Sequence, residues 1–378
     1  MNHLKYHYLL CLYLAAGLSA FGQSPPVDLI DLSLGDLLNA KIIRSQSNQM
    51  TPASLDASSV ASAPGHFESN RFHFSLSYID VKFETYKDGS DDLSTSDVLW
   101  SGAGSGEVRT DDNFPVVPTK IYQQAMQFKG AYDISEEFSF SLSIPFIRQE
   151  TEHISSVPGF SDFIIVSEGL GDIEAAISWL TWSNHHNSLL FSLGLSIPTG
   201  SIDEKGRTPR DATQDTQLPY TMQLGSGTYD IKPSIAYTGK TGAWNYGAGL
   251  NLTLRTAENS RDYRLGNVYQ GSIWTRYELA EWIQPSFRIN GIVWDRISGQ
   301  DDEITVPGAF PYPAAVTNPD YFGGTKLLAQ FGLRLRDPNG WLKNSFLELE
   351  AGAPFYQKLN GPQPSENWRF SASLVLNF

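Results

Sequence analysis

Four short stretches of this sequence carry residue types that could do chemistry. His73-Phe-Ser75 sets an imidazole two residues from a hydroxyl, the types needed for a base and a nucleophile. His185-His186 offers two imidazoles to a metal, and Asp88-Gly-Ser-Asp-Asp92 offers three carboxylates to a hard cation such as calcium. Ser101-Gly-Ala-Gly-Ser-Gly106 has the glycine density of a phosphate cradle.

Each has a plainer reading. The histidine pair lacks a third ligand nearby in sequence, and the acidic stretch does not match a calcium loop. The glycine stretch lacks the strand-then-helix context that phosphate binding requires. No metal and no cofactor is expected. The acids at 88–97, 203–215 and 301–303 read as solvated loop charge, with divalent bridging to lipopolysaccharide as a weaker alternative.

The elements that would hold these residues have a period of two. In Phe138-Ser-Phe-Ser-Leu-Ser-Ile-Pro-Phe146 every even position is apolar, and the odd ones are serines and a proline. The same alternation predicts strands at 71–83, 120–132, 138–147, 170–182, 188–197, 229–237, 243–254, 268–277, 283–294, 325–335, 345–353 and 368–378. The connections alternate between short (133–137, 183–187, 238–242, 278–282, 336–344) and long (84–119, 148–169, 198–228, 255–267, 295–324, 354–367). That pattern predicts an all-β fold, a transmembrane antiparallel β-barrel of about 12 strands over 71–378. Tyr132, Phe138, Trp179, Trp182, Tyr237, Trp244, Tyr277 and Trp282 beside the short turns fit an interfacial aromatic girdle. A soluble β-sandwich would also alternate, but it does not require alternating loop lengths.

The N-terminus predicts export. Lys5, the apolar run 8–18 and Ala20-Phe21-Gly22 read as a signal peptide over 1–22, cleaved before Gln23. Residues 23–70 form an N-terminal periplasmic segment and linker, with Asp28 to Asn39 as a short amphipathic helix and candidate partial plug. The single cysteine, Cys11, lies in the signal, which excludes disulfides and thiolate chemistry from the mature chain. A net charge of -14 excludes nucleic acid as a partner. No apolar run reaches the roughly 18 residues of a spanning helix.

If the apolar parity meets lipid, the opposite parity lines a lumen. That set holds Asp172, Glu174, Asp230, Lys232, Arg276, Arg288, Lys326, Gln330, Arg334, Glu348, Glu350 and Arg369. Charges of both signs need a wet or mutually paired interior. They are expected either to brace the barrel or to set the selectivity of a narrow pore.

Several stretches carry a family resemblance. Tyr132-Asp-Ile-Ser-Glu-Glu-Phe-Ser-Phe-Ser-Leu-Ser-Ile-Pro145, Gly169-Leu-Gly-Asp-Ile-Glu174, Leu195-Ser-Ile-Pro-Thr-Gly200 and Leu224-Gly-Ser-Gly-Thr-Tyr-Asp230 resemble the outer-membrane transporter family of the putative MetA-pathway of phenol degradation. The resemblance implies passage of small molecules, aromatic or hydrophobic ones among them, and no catalytic residue. The last strand, ending at Phe378, is similar to the assembly signal of outer-membrane barrels, which implies the barrel assembly machinery, outer-membrane lipid and lipopolysaccharide as partners. Asp31-Leu-Ser-Leu-Gly-Asp-Leu-Leu-Asn39 is similar to a segment ahead of the plug in TonB-dependent receptors, without room for their plug and larger barrel. His73 and Ser75 resemble the closely spaced pair of outer-membrane phospholipase A, but lie on the polar parity, away from lipid. The expected function is passive passage through the outer membrane, with an adhesin or structural barrel as the alternative and a phospholipase-like enzyme as a weaker one.

Overall fold

The computed structural model describes residues 71–338 and 345–377. The signal peptide, the short helix and linker, and Phe378 lie outside the described residues. Eleven strands close into one antiparallel ring: β1 (Phe72–Gly89), β2 (Val116–Asp133), β3 (Phe138–Ser155), β4 (Ile173–Ser183), β5 (Asn187–Ile197), β6 (Asp230–Thr241), β7 (Trp244–Arg255), β8 (Val268–Tyr277), β9 (Ile283–Trp294), β10 (Gly324–Arg336) and β11 (Phe346–Asn377). Each pairs with its sequence neighbour, and β11 also pairs with β1, setting His73 opposite Asn377. Closure leaves the ring without a free edge, the condition for β-structure in hydrocarbon.

The last strand is 32 residues long because it doubles back. Phe346 faces Arg336, Leu359 faces Gly324 at the opposite rim, and Asn377 has returned to face His73. The reversal takes place near Gly361, whose φ of +86° favours glycine. The wall is therefore crossed twelve times, once by each of ten strands and twice by β11. The long loop expected over 354–367 is instead a tight reversal flanked by paired backbone. Likewise 148–169 is not a loop: β3 runs on to Ser155, and the strand Asp162–Leu170 folds back along it outside the ring.

Outward residues are greasy and inward ones polar over most of the wall. Phe72, Leu193 and Ile273 are 52%, 52% and 58% exposed, whereas Ser139, Ser141 and Ser143 opposite them in parity are buried. At roughly 25 cal/mol per Å² of apolar surface, such an exterior belongs in lipid rather than water. Aromatic side chains gather at the short turns, with Phe72 against Tyr132 at 4.8 Å and Trp244 against Tyr277 at 4.9 Å between ring centroids.

On β1 to β3, 18 residues each against 10 to 13 for β4 to β10, this parity inverts part-way. Tyr78, Met126 and Phe146 sit side by side as the last greasy outward row, and Asp80, Gln124 and Arg148 form the next. Inside, Ile79, Val81, Phe83, Ile121 and Ile147 replace the serines and glutamines below them. The register continues unbroken through the switch on β1 and β2, so chemistry changes there and geometry does not. The inverted stretch stands above lipid, salted outside by Lys82–Glu84 and Lys120–Glu152 pairs and packed inside against the loops.

Candidate functional site

The lumen divides into two arcs. On β8 to β11 the inward side chains among the described residues include five cations, Arg276, Arg288, Lys326, Arg334 and Arg369, and three carboxylates, Glu348, Glu350 and Glu366, all buried. Arg334 and Glu348 are direct cross-strand partners, and the guanidinium donates to the carboxylate at 3.0 Å. Arg276 reaches the same carboxylate from β8, at 3.5 Å. Arg288 donates to Glu350 at 3.4 Å. Nearer the long loops, Glu366 accepts from Lys326 at 2.6 Å and from both Nε and Nη2 of Arg369 at 2.6 and 2.7 Å. Two carboxylates are thus each shared by two cations. Gln330 lies between these groups, bonded to Asn290.

The arc of β1 to β7 is balanced: Lys129, Lys232, Lys240 and Arg255 against Asp133, Glu174, Asp230 and, in the turn after β8, Glu278, which takes Lys240 at 3.0 Å. Arg255 pairs with Asp230, its register partner, and Thr228 donates to the same carboxylate at 2.6 Å. Lys232 donates to Glu174 at 3.0 Å. Around that pair lie two cavities of about 20 and 40 Å³, enough for one or a few waters and too small for an organic solute. His73 joins the closing seam, with Nδ1 at 2.8 Å from Asn377 and Nε2 at 3.0 Å from Asp133. The imidazole of the His73–Ser75 pair therefore faces the interior and not lipid.

Above the charges sits an apolar belt of Ile79, Val81, Phe83, Ile121, Ile292, Trp294, Leu328 and Leu359, all inward-facing. Lys326 Nζ lies 5.5 Å from the Trp294 ring and 5.9 Å from Phe83, and Arg369 and Glu366 are the register partners of Val81 and Phe83, so belt and cationic arc overlap at their upper end. Leu224 of a long loop joins the belt, and Tyr220, Tyr263, Ile297, Ile304 and Phe322 form a separate cluster among the loops. Burial pushes the Tyr220 hydroxyl well above its usual pKa, which keeps it a neutral partner for the Asp301 N–H at 3.0 Å. Arg261 ties Asp203 of one long loop to Asp301 of another, at 2.7 and 3.2 Å.

Asp172 lines the smaller cavity together with Glu174 and Lys232, but its carboxylate is taken up by a loop. Its carboxylate accepts from the Gly200 N–H at 2.9 Å, and from the N–H and hydroxyl of Ser226 at 2.8 Å each. Thr199 adds a hydroxyl bond to the Gly171 carbonyl. A Cβ on Gly225 would lie 2.5 Å from the Gly200 carbonyl, so only glycine permits this approach. The stretches at 169–174, 195–200 and 224–230, far apart in sequence, converge here as a clamp that seats the 198–229 loop on the wall.

Sequence parity missed Glu366, Arg255, Lys129 and Asp133. Arg255 lies one step beyond the expected end of β7 on the inward parity, and Glu366 fell within the expected 354–367 loop. His185 and His186 are exposed in a turn, and among the described residues no three His, Cys, Asp or Glu side chains gather as a metal set.

A family model described as "Putative MetA-pathway of phenol degradation" matches residues 128–319. An outer membrane channel from Pseudomonas putida F1 has 13% identity, covering 83% of this chain and 97% of its own, with a TM-score of 0.51. A Pseudomonas aeruginosa FadL homologue has 11% identity over 93% of this chain and 100% of its own (TM-score 0.42), and the Ralstonia pickettii toluene transporter TbuX 9% over 90% and 97% (TM-score 0.40). No curated protein matches the chain.

Proposed function

This chain belongs to the family of the Putative MetA-pathway of phenol degradation, and from that premise we propose that its outer-membrane β-barrel is a channel for passive passage of small molecules, aromatic or hydrophobic ones among them. The observation that carries the reading is a closed ring that is greasy outside and charged within. A wall built only for burial would have no need of inward charges, each of which costs several kcal/mol unless paired. Glu174, Lys232 and Asp230 would line and brace the lumen, Arg276, Arg288, Lys326, Gln330, Arg334, Glu348, Glu350 and Arg369 would set the selectivity, and Asp172 would seat a loop at the mouth. The solute would cross by diffusion, guided by the belt and the charges, with no covalent step. The long loops would face outward, the short turns and the N-terminal segment over 23–70 inward, and the last strand would engage the assembly machinery.

Liposome swelling with a panel of sugars, aromatic acids and alkanes tests the proposal. Swelling rates above those of protein-free vesicles for the smaller solutes are expected; protein-free rates for every solute would refute it. One observation favours the adhesin or structural alternative: the Arg–Glu pairs are buried to 3% exposure or less. In that reading the pairs brace a filled barrel, and function moves to the loops.

A further inference from the structure

We infer that the solute is a small amphipathic organic anion, an aromatic or aliphatic carboxylate; the inference rests on the channel reading above. The chain as a whole is strongly acidic, at -14. Its lumen has the opposite sign. Among the buried inward-facing strand residues, β1 to β7 are balanced, Lys129 and Arg255 against Asp133 and Asp230, and β8 to β11 carry five cations against three carboxylates. The surplus is confined to one arc.

The surplus also has a specific form. Glu348 serves Arg276 and Arg334, and Glu366 serves Lys326 and Arg369. A carboxylate shared by two cations leaves a net positive pair-plus-one, and a passing carboxylate would complete the neutralisation. An isolated cation of the same size would meet like charge at the same points. Along β10, Lys326 and Arg334 are eight residues apart, about 26 Å of strand. Arg288 on the neighbouring strand fills the interval, its register partner being Gln330 between them. The cations therefore form a column running from the long-loop end towards the short-turn rim, and not a single spot.

The apolar body of the solute follows from where that column begins. Lys326 lies against Trp294 and Phe83, two members of the belt. A molecule with a ring or short chain beside its carboxylate would contact belt and ammonium together, whereas a neutral hydrocarbon would use the belt alone.

Reversal potentials of the purified full chain in planar bilayers under a potassium chloride gradient decide the matter, followed by replacement of chloride with benzoate. One surplus charge about 5 Å from the permeating ion, in a water-like dielectric, corresponds to roughly fourfold. A preference for chloride over potassium of at least that size is expected, with benzoate also carrying current. Conductance with no preference, or with a preference for potassium, overturns the anion assignment and leaves the channel standing; absence of any conductance overturns both. Lys326→Gln keeps the bidentate Arg369–Glu366 pair and should lower the preference at least about fourfold. An unchanged preference in an assembled Lys326→Gln barrel would overturn the role given to that arc. Should that variant not assemble, the reversal potential of the wild-type barrel still decides between anion and cation.

Discussion

Strands β1 to β7 and strands β8 to β11 face one another across the same lumen, yet they bury charge differently. In the first arc the buried inward cations are matched in number by carboxylates, and Arg255–Asp230 occupies one register step, as a local brace would. In the second, Arg276 crosses from β8 to a carboxylate on β11, and two acids hold four cations. Removing charge from the first arc should leave the lumen's character unchanged, and removing it from the second should change both stability and permeation. The first arc also carries the tall wall and the glycine clamp, so on the proposed channel reading it would support the mouth while the second would line the route.

The sharpest way to break this contrast is Glu366→Gln. It strands Lys326 and Arg369 in a fully buried site, and a loss of about 3–5 kcal/mol is expected in urea unfolding from detergent or lipid. A loss below about 1 kcal/mol would mean the arc is wetter than its burial implies.

Next in size is Gly225→Ala. The added Cβ meets backbone at Gly200 that cannot rotate away, so a loss of about 1–3 kcal/mol is expected. Limited proteolysis should then cut within 198–229 while leaving the ring intact; equal protection in variant and parent would remove the clamp from the account.

The double change Asp230→Leu with Arg255→Met tests the balanced arc. Replacement of a whole buried pair by apolar groups is often neutral or stabilising, so unfolding should shift by no more than about 1 kcal/mol and ion preference should stay as in the parent. A changed preference would erase the distinction between the arcs.

The smallest effect belongs outside the ring. Lys82→Ala removes a cation paired with Glu84 above the lipid band, which should alter stability by less than about 1 kcal/mol and less still at high salt.

Much of this was legible in the sequence because a barrel strand records its two environments in alternate residues. Strands 268–277 and 283–294 have the expected bounds, and the greasy and polar sets of β8 to β10 fall on the faces that parity assigns. The reading failed where the environment changed along a strand. Arg148, Glu150 and Glu152 looked like loop because their outward parity is charged, but β3 has by then left lipid. Pro362 and Pro364 suggested a loop too; register shifts opposite Lys82 and Phe83 accommodate this stretch, and Glu366 came inside with it. The four resembling stretches were visible one at a time, and the meeting of three of them at Asp172 is a tertiary fact that no local period records.

The pairing of His73 with Asn377 joins positions 304 apart in the chain. A ring closed by its first and last strands gains that contact only after nearly everything between has been synthesised. Such distant partners make for slow assembly, and until then β1 offers a row of unanswered amides that any stray strand could occupy. The unclosed polypeptide is therefore open to mispairing, and loss of the final dozen residues would leave an open, sticky sheet in place of a ring.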